Sequence, residues 1–177
     1  FAPSGLWLDD QWIAVLVRDA SLSDMIALAP PVPPGFVLML KSLVAVCGSS
    51  PASLQALPML AGTLLVPATA VLALRTTGSR AVAAMAALFV AADPTLVTYS
   101  ARVKPFTLDA LATVLIACAF VEAVRRPSVR TIRILALAAV ASLGFSYAAA
   151  LSGAAFLPVA VVGGLYVTLR RRITDAT

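Results

Sequence analysis

Apolar residues in this chain fall into long, nearly uninterrupted runs separated by short basic or proline-containing breaks, the spacing of helices that cross a membrane. The pattern predicts five spans, at 54–74, 81–99, 106–124, 131–151 and 153–169, each near the roughly 20 residues that cross a bilayer. Ahead of them the pattern changes. From Asp9 it turns helical, with Trp12, Ile13, Leu16, Val17 and Ala20 on one stripe and Asp10, Gln11 and Arg18 largely elsewhere, which predicts an amphipathic helix lying in the membrane interface. A second short helix is expected over 21–29, before Pro30-Pro31-Val32-Pro33-Pro34, through which no helix continues. Residues 35–48 are apolar but short and carry Lys41, so they are expected not to cross.

The loops fix a direction. Lys and Arg concentrate in cytoplasmic loops. If the five spans alternate, Arg75, Arg80, Arg125, Arg126, Arg130, Arg133 and Arg170 to Arg172 share one side, which is then cytoplasmic. The other side keeps Arg18, Lys41, Arg102 and Lys104 with Asp9, Asp10, Asp19, Asp24 and Asp109. The predicted fold class is therefore an all-α polytopic membrane bundle. Residues 1–53 form an extracytoplasmic loop with juxtamembrane helices, 54–172 the transmembrane part, and 173–177 a cytoplasmic tail or the start of the next loop. Lys104-Pro105-Phe106 is expected to meet the Asp pair on the outer face.

Composition narrows the chemistry. Hydrophobic residues make up 61% of the chain and charged residues 12%, with a mean hydropathy of +0.99, far from a soluble domain. The net charge of +5 is mostly accounted for by loop position, so no nucleic-acid partner is expected. There is no His, which excludes imidazole bases, His-containing zinc sites and Ser-His-Asp triads within this chain. Acid–base work must fall to carboxylates or lysine. Cys47 and Cys118 lie in separate apolar segments and read as small hydrophobes. The opening Phe1-Ala2-Pro3 has neither a basic stretch nor an apolar run before the acidic motif, so no signal peptide is visible and a fragment lacking an upstream helix is expected.

The candidate chemistry centres on Asp9 and Asp10, adjacent carboxylates between Trp7 and Trp12 at the edge of the apolar region. One reading is a helix cap, satisfying free N–H groups. The other is a half-desolvated pair able to hold a divalent cation or deprotonate an acceptor hydroxyl. Arg102 and Lys104 precede Pro105, with Asp109 one turn on; they read either as interfacial snorkelling charges or as an anion site beside a helix N-terminus. Lys41 divides the same way. Asp93-Pro94 reads as a turn or kink, Tyr99, Phe106 and Tyr147 as interfacial aromatics, and Glu122 as an ion-pair partner for Arg125 or Arg126.

The order of these features is familiar: the acidic pair, interfacial helices, Pro33-Pro34-Gly35-Phe36, Leu57-Pro58 with Gly62, and Tyr99-Ser100-Ala101-Arg102-Val103-Lys104-Pro105-Phe106 with Asp109 beyond. It resembles the N-terminal half of the GT-C membrane glycosyltransferases, in particular the protein O-mannosyltransferase and aminoarabinose-transferase-like enzymes of bacteria. The resemblance implies a polyprenyl-phosphate-sugar donor, an active site facing outside at the cytoplasmic membrane, and inverting transfer. It implies Asp9 as the catalytic carboxylate, with Asp10 beside it. It further implies that Lys41, Tyr99, Arg102, Lys104 and Asp109 line the cavity for lipid phosphate and sugar. Val32 stands where many relatives have His, and Gln55 where Arg is usual. The rival expectation is a non-catalytic polytopic protein, either transporter-like or a lipid-phosphate-binding relative.

Overall fold

In the computed structural model, residues 6, 8–19, 21, 23–24 and 32–174 are described, without the side chains of residues 8, 9 and 168–174. These residues form eight helices and no strands: α1 (Leu8–Asp19), α2 (Pro34–Cys47), α3 (Pro51–Thr77), α4 (Arg80–Ala92), α5 (Pro94–Ser100), α6 (Phe106–Arg125), α7 (Val129–Phe145) and α8 (Tyr147–Thr174). The all-α membrane bundle with short juxtamembrane helices expected from the hydrophobic pattern is what the chain forms. The short helix expected over 21–29 falls mostly outside the described residues.

Local chemistry sets the boundaries. Ser50 caps α3 by accepting from the Ser53 N–H, with Pro51 at the first helical position, where its missing N–H costs nothing. α3 ends at Gly78, whose φ of 73° is left-handed and whose N–H bonds to the Leu74 carbonyl. Ser79 caps α4 and Asp93 caps α5, the Asp93 Oδ1 accepting from Thr95 N at 2.7 Å and Leu96 N at 3.1 Å. The chain bends by 59° there, so the span expected at 81–99 is a bent pair with its kink at Asp93-Pro94. Ser128 and Thr131 form a reciprocal capping box at the start of α7.

The expected spans 131–151 and 153–169 are divided differently in the structure. α7 stops at Phe145, and α8 starts one residue after Ser146. Ser146 makes this break. Its N–H bonds to the Ser142 carbonyl, while its hydroxyl accepts from Ala149 N at 3.0 Å. Gly153, near the expected break, lies inside α8 against Ala139. α3 runs past the expected 54–74 at both ends, to its caps at Ser50 and Gly78, and accommodates Pro58 and Pro67 within it.

Among the described residues α3, α6 and the 21-residue stretch Tyr147–Val167 of α8 are long and apolar enough to cross a membrane; the bent α4–α5 pair reaches that length only when its two helices are taken as one span, and α7, with 17 residues, is shorter than the span expected there. Only 22%, 28% and 17% of their apolar windows is buried inside the bundle. Leu60 and Leu64 on α3, Leu115 on α6 and Val162 and Leu165 on α8 face outward, as do Leu88 and Phe89 on α4 and Leu137 on α7, a surface that water would not tolerate and lipid would. α2, with 14 residues, is too short to cross, as its length predicts.

Contacts sort the two ends. The Thr107 hydroxyl donates to the Pro58 carbonyl at 3.0 Å, so α3 and α6 begin at the same end. Arg75, Cys118 and Glu122 border one cavity nearer their other ends. α7 and α8 are antiparallel neighbours, Ala139 against Gly153 and Ile132 and Pro127 against Gly164. α1 and α2 lie across the end where α3 and α6 begin. There Ile13, Leu16, Val17, Phe36, Val37, Leu40, Leu54 and Val103 form one cluster. Burying each large side chain contributes roughly 1.5–3 kcal/mol.

α1 departs from its expected orientation. Its inward face carries Asp10, Ile13, Leu16 and Val17, while Trp12 is 60% exposed and points away with Val15. Positions 10, 13 and 17 share a helical face, so the carboxylate goes in with the aliphatics, and Trp12 stands off the stripe assigned to it. Cys118 is buried, whereas Cys47 is exposed.

The Gly153 contact predicts a test. A Cβ there would meet the Ala139 Cβ at 2.5 Å and its Cα at 3.0 Å, whereas Gly163 has nothing within 4 Å. Gly153→Leu should lower the thermal unfolding midpoint in detergent, at an overpacking cost of about 1–3 kcal/mol, while Gly163→Leu should leave it unchanged or raise it.

Candidate functional site

The site is assembled at the end where α1 and α2 cover the bundle. The turn between α5 and α6, residues 101–105, supplies a cation from each side of Val103, which is itself fully buried in the cluster beneath α1. Anchoring Val103 inward fixes the turn. Arg102 Nε then donates to Asp10 Oδ2 at 2.8 Å, across 92 residues of sequence. The Asp10 side chain is 0% exposed and that of Arg102 12%. A charge removed from water to this degree requires a partner, so this contact ties α1 to the α5–α6 turn.

The helix-cap reading of the acidic pair does not describe Asp10. Its carboxylate reaches Arg102, and its second oxygen, Oδ1, is buried with no hydrogen-bond partner among the described residues. Asp9 lies in the first turn of α1, on the backbone position before Asp10; its side chain is outside the described residues. The sequence places Lys104-Pro105-Phe106 against the acidic pair; in the structure Arg102 of the same turn reaches Asp10, and Lys104 lies half-buried two residues on.

Asp109 sits in the first turn of α6, its N–H bonded to the Pro105 carbonyl at 2.7 Å. Its carboxylate interacts with the Ser146 hydroxyl, at the α7–α8 junction, and its Oδ1 is buried without a partner among the described residues. Two carboxylates at this end thus each keep one dry, unbonded oxygen. Buried polar atoms are seldom left so. Ser146 carries no sequence signal beyond being a polar residue between apolar runs, and sequence reading gave it no site role.

Lys41 is half-buried on α2, and its ammonium acts on Asp19 at the end of α1. The Asp19 carboxyl is held below its ordinary range, chiefly by the hydrogen bonds from the exposed Arg18 beside it. Tyr99 packs edge-to-face on Phe106 at 4.8 Å, closing the two flanks of the 101–105 turn. The three cations given a site role in the sequence, Lys41, Arg102 and Lys104, therefore lie on the α1–α2 unit or on the turn paired to it.

Next to this cluster is a groove of about 680 Å³ between α3 and the bent α4–α5 pair. Met59, Val66, Val90 and Leu96 line it, and it ends at Ser100 and Ala101, the two residues preceding Arg102. Gly62 allows the close approach here, since a Cβ would collide with the Ser100 hydroxyl. Among the described residues no three His, Cys, Asp or Glu side chains gather as a metal centre, and the divalent cation considered for the acidic pair rests on the sequence alone.

The pair makes a quantitative prediction. Arg102→Ala leaves the Asp10 charge buried and unpaired and should cost about 3–5 kcal/mol. The double variant Asp10→Leu with Arg102→Met should recover most of this, because an apolar pair of similar volume needs no compensation. Denaturation midpoints of the single and double variants in detergent check both.

No protein-family model, curated protein or solved structure matches this chain.

Proposed function

We propose that the chain is part of a membrane glycosyltransferase that moves a sugar from a polyprenyl-phosphate donor to an acceptor at the outer face of the bacterial cytoplasmic membrane. The observation that carries this reading is the buried Asp10–Arg102 pair, which joins the acidic helix to the basic turn at one end of the bundle. In this reading Asp9 is the general base, and Asp10 is a positioning residue that sets where α1 sits. Arg102, Lys104 and Lys41 supply positive charge for the phosphate, and Asp109 and Tyr99 border the sugar.

The chemistry is one displacement. The acceptor oxygen attacks the anomeric carbon, its proton passes to the carboxylate, and the bond to the phosphate oxygen breaks with its electron pair going to the leaving phosphate. Cations held in a water-poor site stabilise the charge that develops on that oxygen. The groove between α3 and α4–α5 supports the same reading, because an apolar channel that ends beside Arg102 suits a prenyl chain whose phosphate must reach the turn.

A second reading, a non-catalytic protein that binds lipid phosphate, draws on the tightness of the pair: a guanidinium held by Asp10 has less charge to offer a reacting phosphate. Proteoliposomes carrying the full chain and labelled polyprenyl-phosphate hexoses separate the two. Asp9→Asn should reduce transfer by about 10²–10⁴-fold with an unchanged unfolding midpoint. Full turnover by that variant removes Asp9 as the base. A wild-type chain that retains the donor without transferring sugar favours the second reading.

A further inference from the structure

The arginine-rich end of the bundle, remote from the site above, carries two adjoining cavities that share Glu122, Thr131 and Ile134. The first, about 560 Å³, is bordered by Arg125, Arg126 and Arg130 around the α6–α7 loop and by the capped N-terminus of α7 at Ser128. The second, about 510 Å³, continues along Val71 on α3 and Leu115 and Ala119 on α6, with Arg75 at its border. A cationic mouth thus opens into an apolar groove. Val71, Leu115 and Ile134 are 42%, 53% and 49% exposed, so the groove faces the surrounding lipid.

The charge at the mouth is one-sided. Glu122 is the single acidic residue bordering it, and it stands 3.7 Å from Arg126. Arg75, Arg125 and Arg130 have no carboxylate partner among the described residues. The helix N-terminus adds its partial positive charge to theirs. Basic pockets between membrane helices, continuous with an apolar surface, match a phosphate headgroup attached to acyl chains.

We propose that these cavities bind an anionic phospholipid of the leaflet at the arginine-rich end. Its phosphate lies among Arg125, Arg126 and Arg130, and one acyl chain lies along the groove between Val71 and Leu115. The apolar continuation distinguishes this from a site for a free anion, and the surplus of arginine over carboxylate distinguishes it from one for a zwitterionic lipid. The site is independent of the transfer reading.

Native mass spectrometry of the full chain in detergent, titrated with phosphatidylglycerol or phosphatidylcholine of identical chains, tests it. The wild type should prefer phosphatidylglycerol. Replacing Arg125, Arg126 and Arg130 together by Gln should weaken phosphatidylglycerol binding on the order of a hundredfold, weaken phosphatidylcholine binding far less, and so remove the preference. Arg130→Gln alone should weaken it roughly fivefold, which keeps the test available if the triple variant does not fold. Leu115→Trp, which narrows the groove, should weaken it too, whereas Arg133→Gln, outside the cavities, should not. Equal binding of the two lipids by the wild type, or undiminished preference in the arginine variants, overturns the proposal. So does displacement of the lipid by inorganic phosphate as readily as by added phosphatidylglycerol, which would make this a free-anion site.

Discussion

One buried ion pair governs how the chain is put together at the end where α1 and α2 cover the bundle. Asp10 has no exposed surface, and a carboxylate in that state is stable only beside a compensating charge. Arg102 is that charge, held by a turn whose own anchor, Val103, is buried in the same cluster as Ile13 and Val17. Aliphatic packing brings α1 onto the bundle, but apolar surfaces tolerate sliding. The ion pair does not. Shifting α1 by one turn would set the Asp10 carboxylate against aliphatic side chains and break its contact with Arg102, so one polar contact selects the register that packing alone leaves open.

The remainder of the bundle obeys lipid rather than water. Small residues bring helix backbones together, as at Gly153 on Ala139 and Gly35 against the Gly144 carbonyl, and the large aliphatics face outward. This reverses the arrangement of a soluble core. The polar groups that remain inside find backbone partners, Thr107 on the Pro58 carbonyl and Ser146 at the head of α8 on the Ala149 N–H.

The fold was legible to the extent that it is written in local pattern. Apolar run length gave α3, α6 and the shortness of α2, and proline and Asp93 gave the α4–α5 break. The α7–α8 junction was misplaced although Gly144, Ser146 and Tyr147 stand at it, because the apolar run continues across them and the break depends on Ser146 bonding within its own surroundings. The face of α1 was misjudged for a related reason: periodicity groups residues by polarity, and a buried charge violates polarity whenever a distant partner compensates it. The basic turn and the acidic helix were each visible in sequence, and charge counting assigned them to one side. That Arg102 meets Asp10 directly is a long-range fact that no local pattern carries.

The bent α4–α5 pair forms one wall of the groove that ends beside Arg102, and it rests chiefly on α3, with α5 touching α6 only lightly. Every other long helix has at least two substantial neighbours. The groove width is thus a nearly one-dimensional coordinate, set by the α3–α4 contact and by the hinge at Asp93. A side chain exchanged at the α3–α4 contact or at the Asp93 kink therefore resizes the space beside the ion pair without touching either charge.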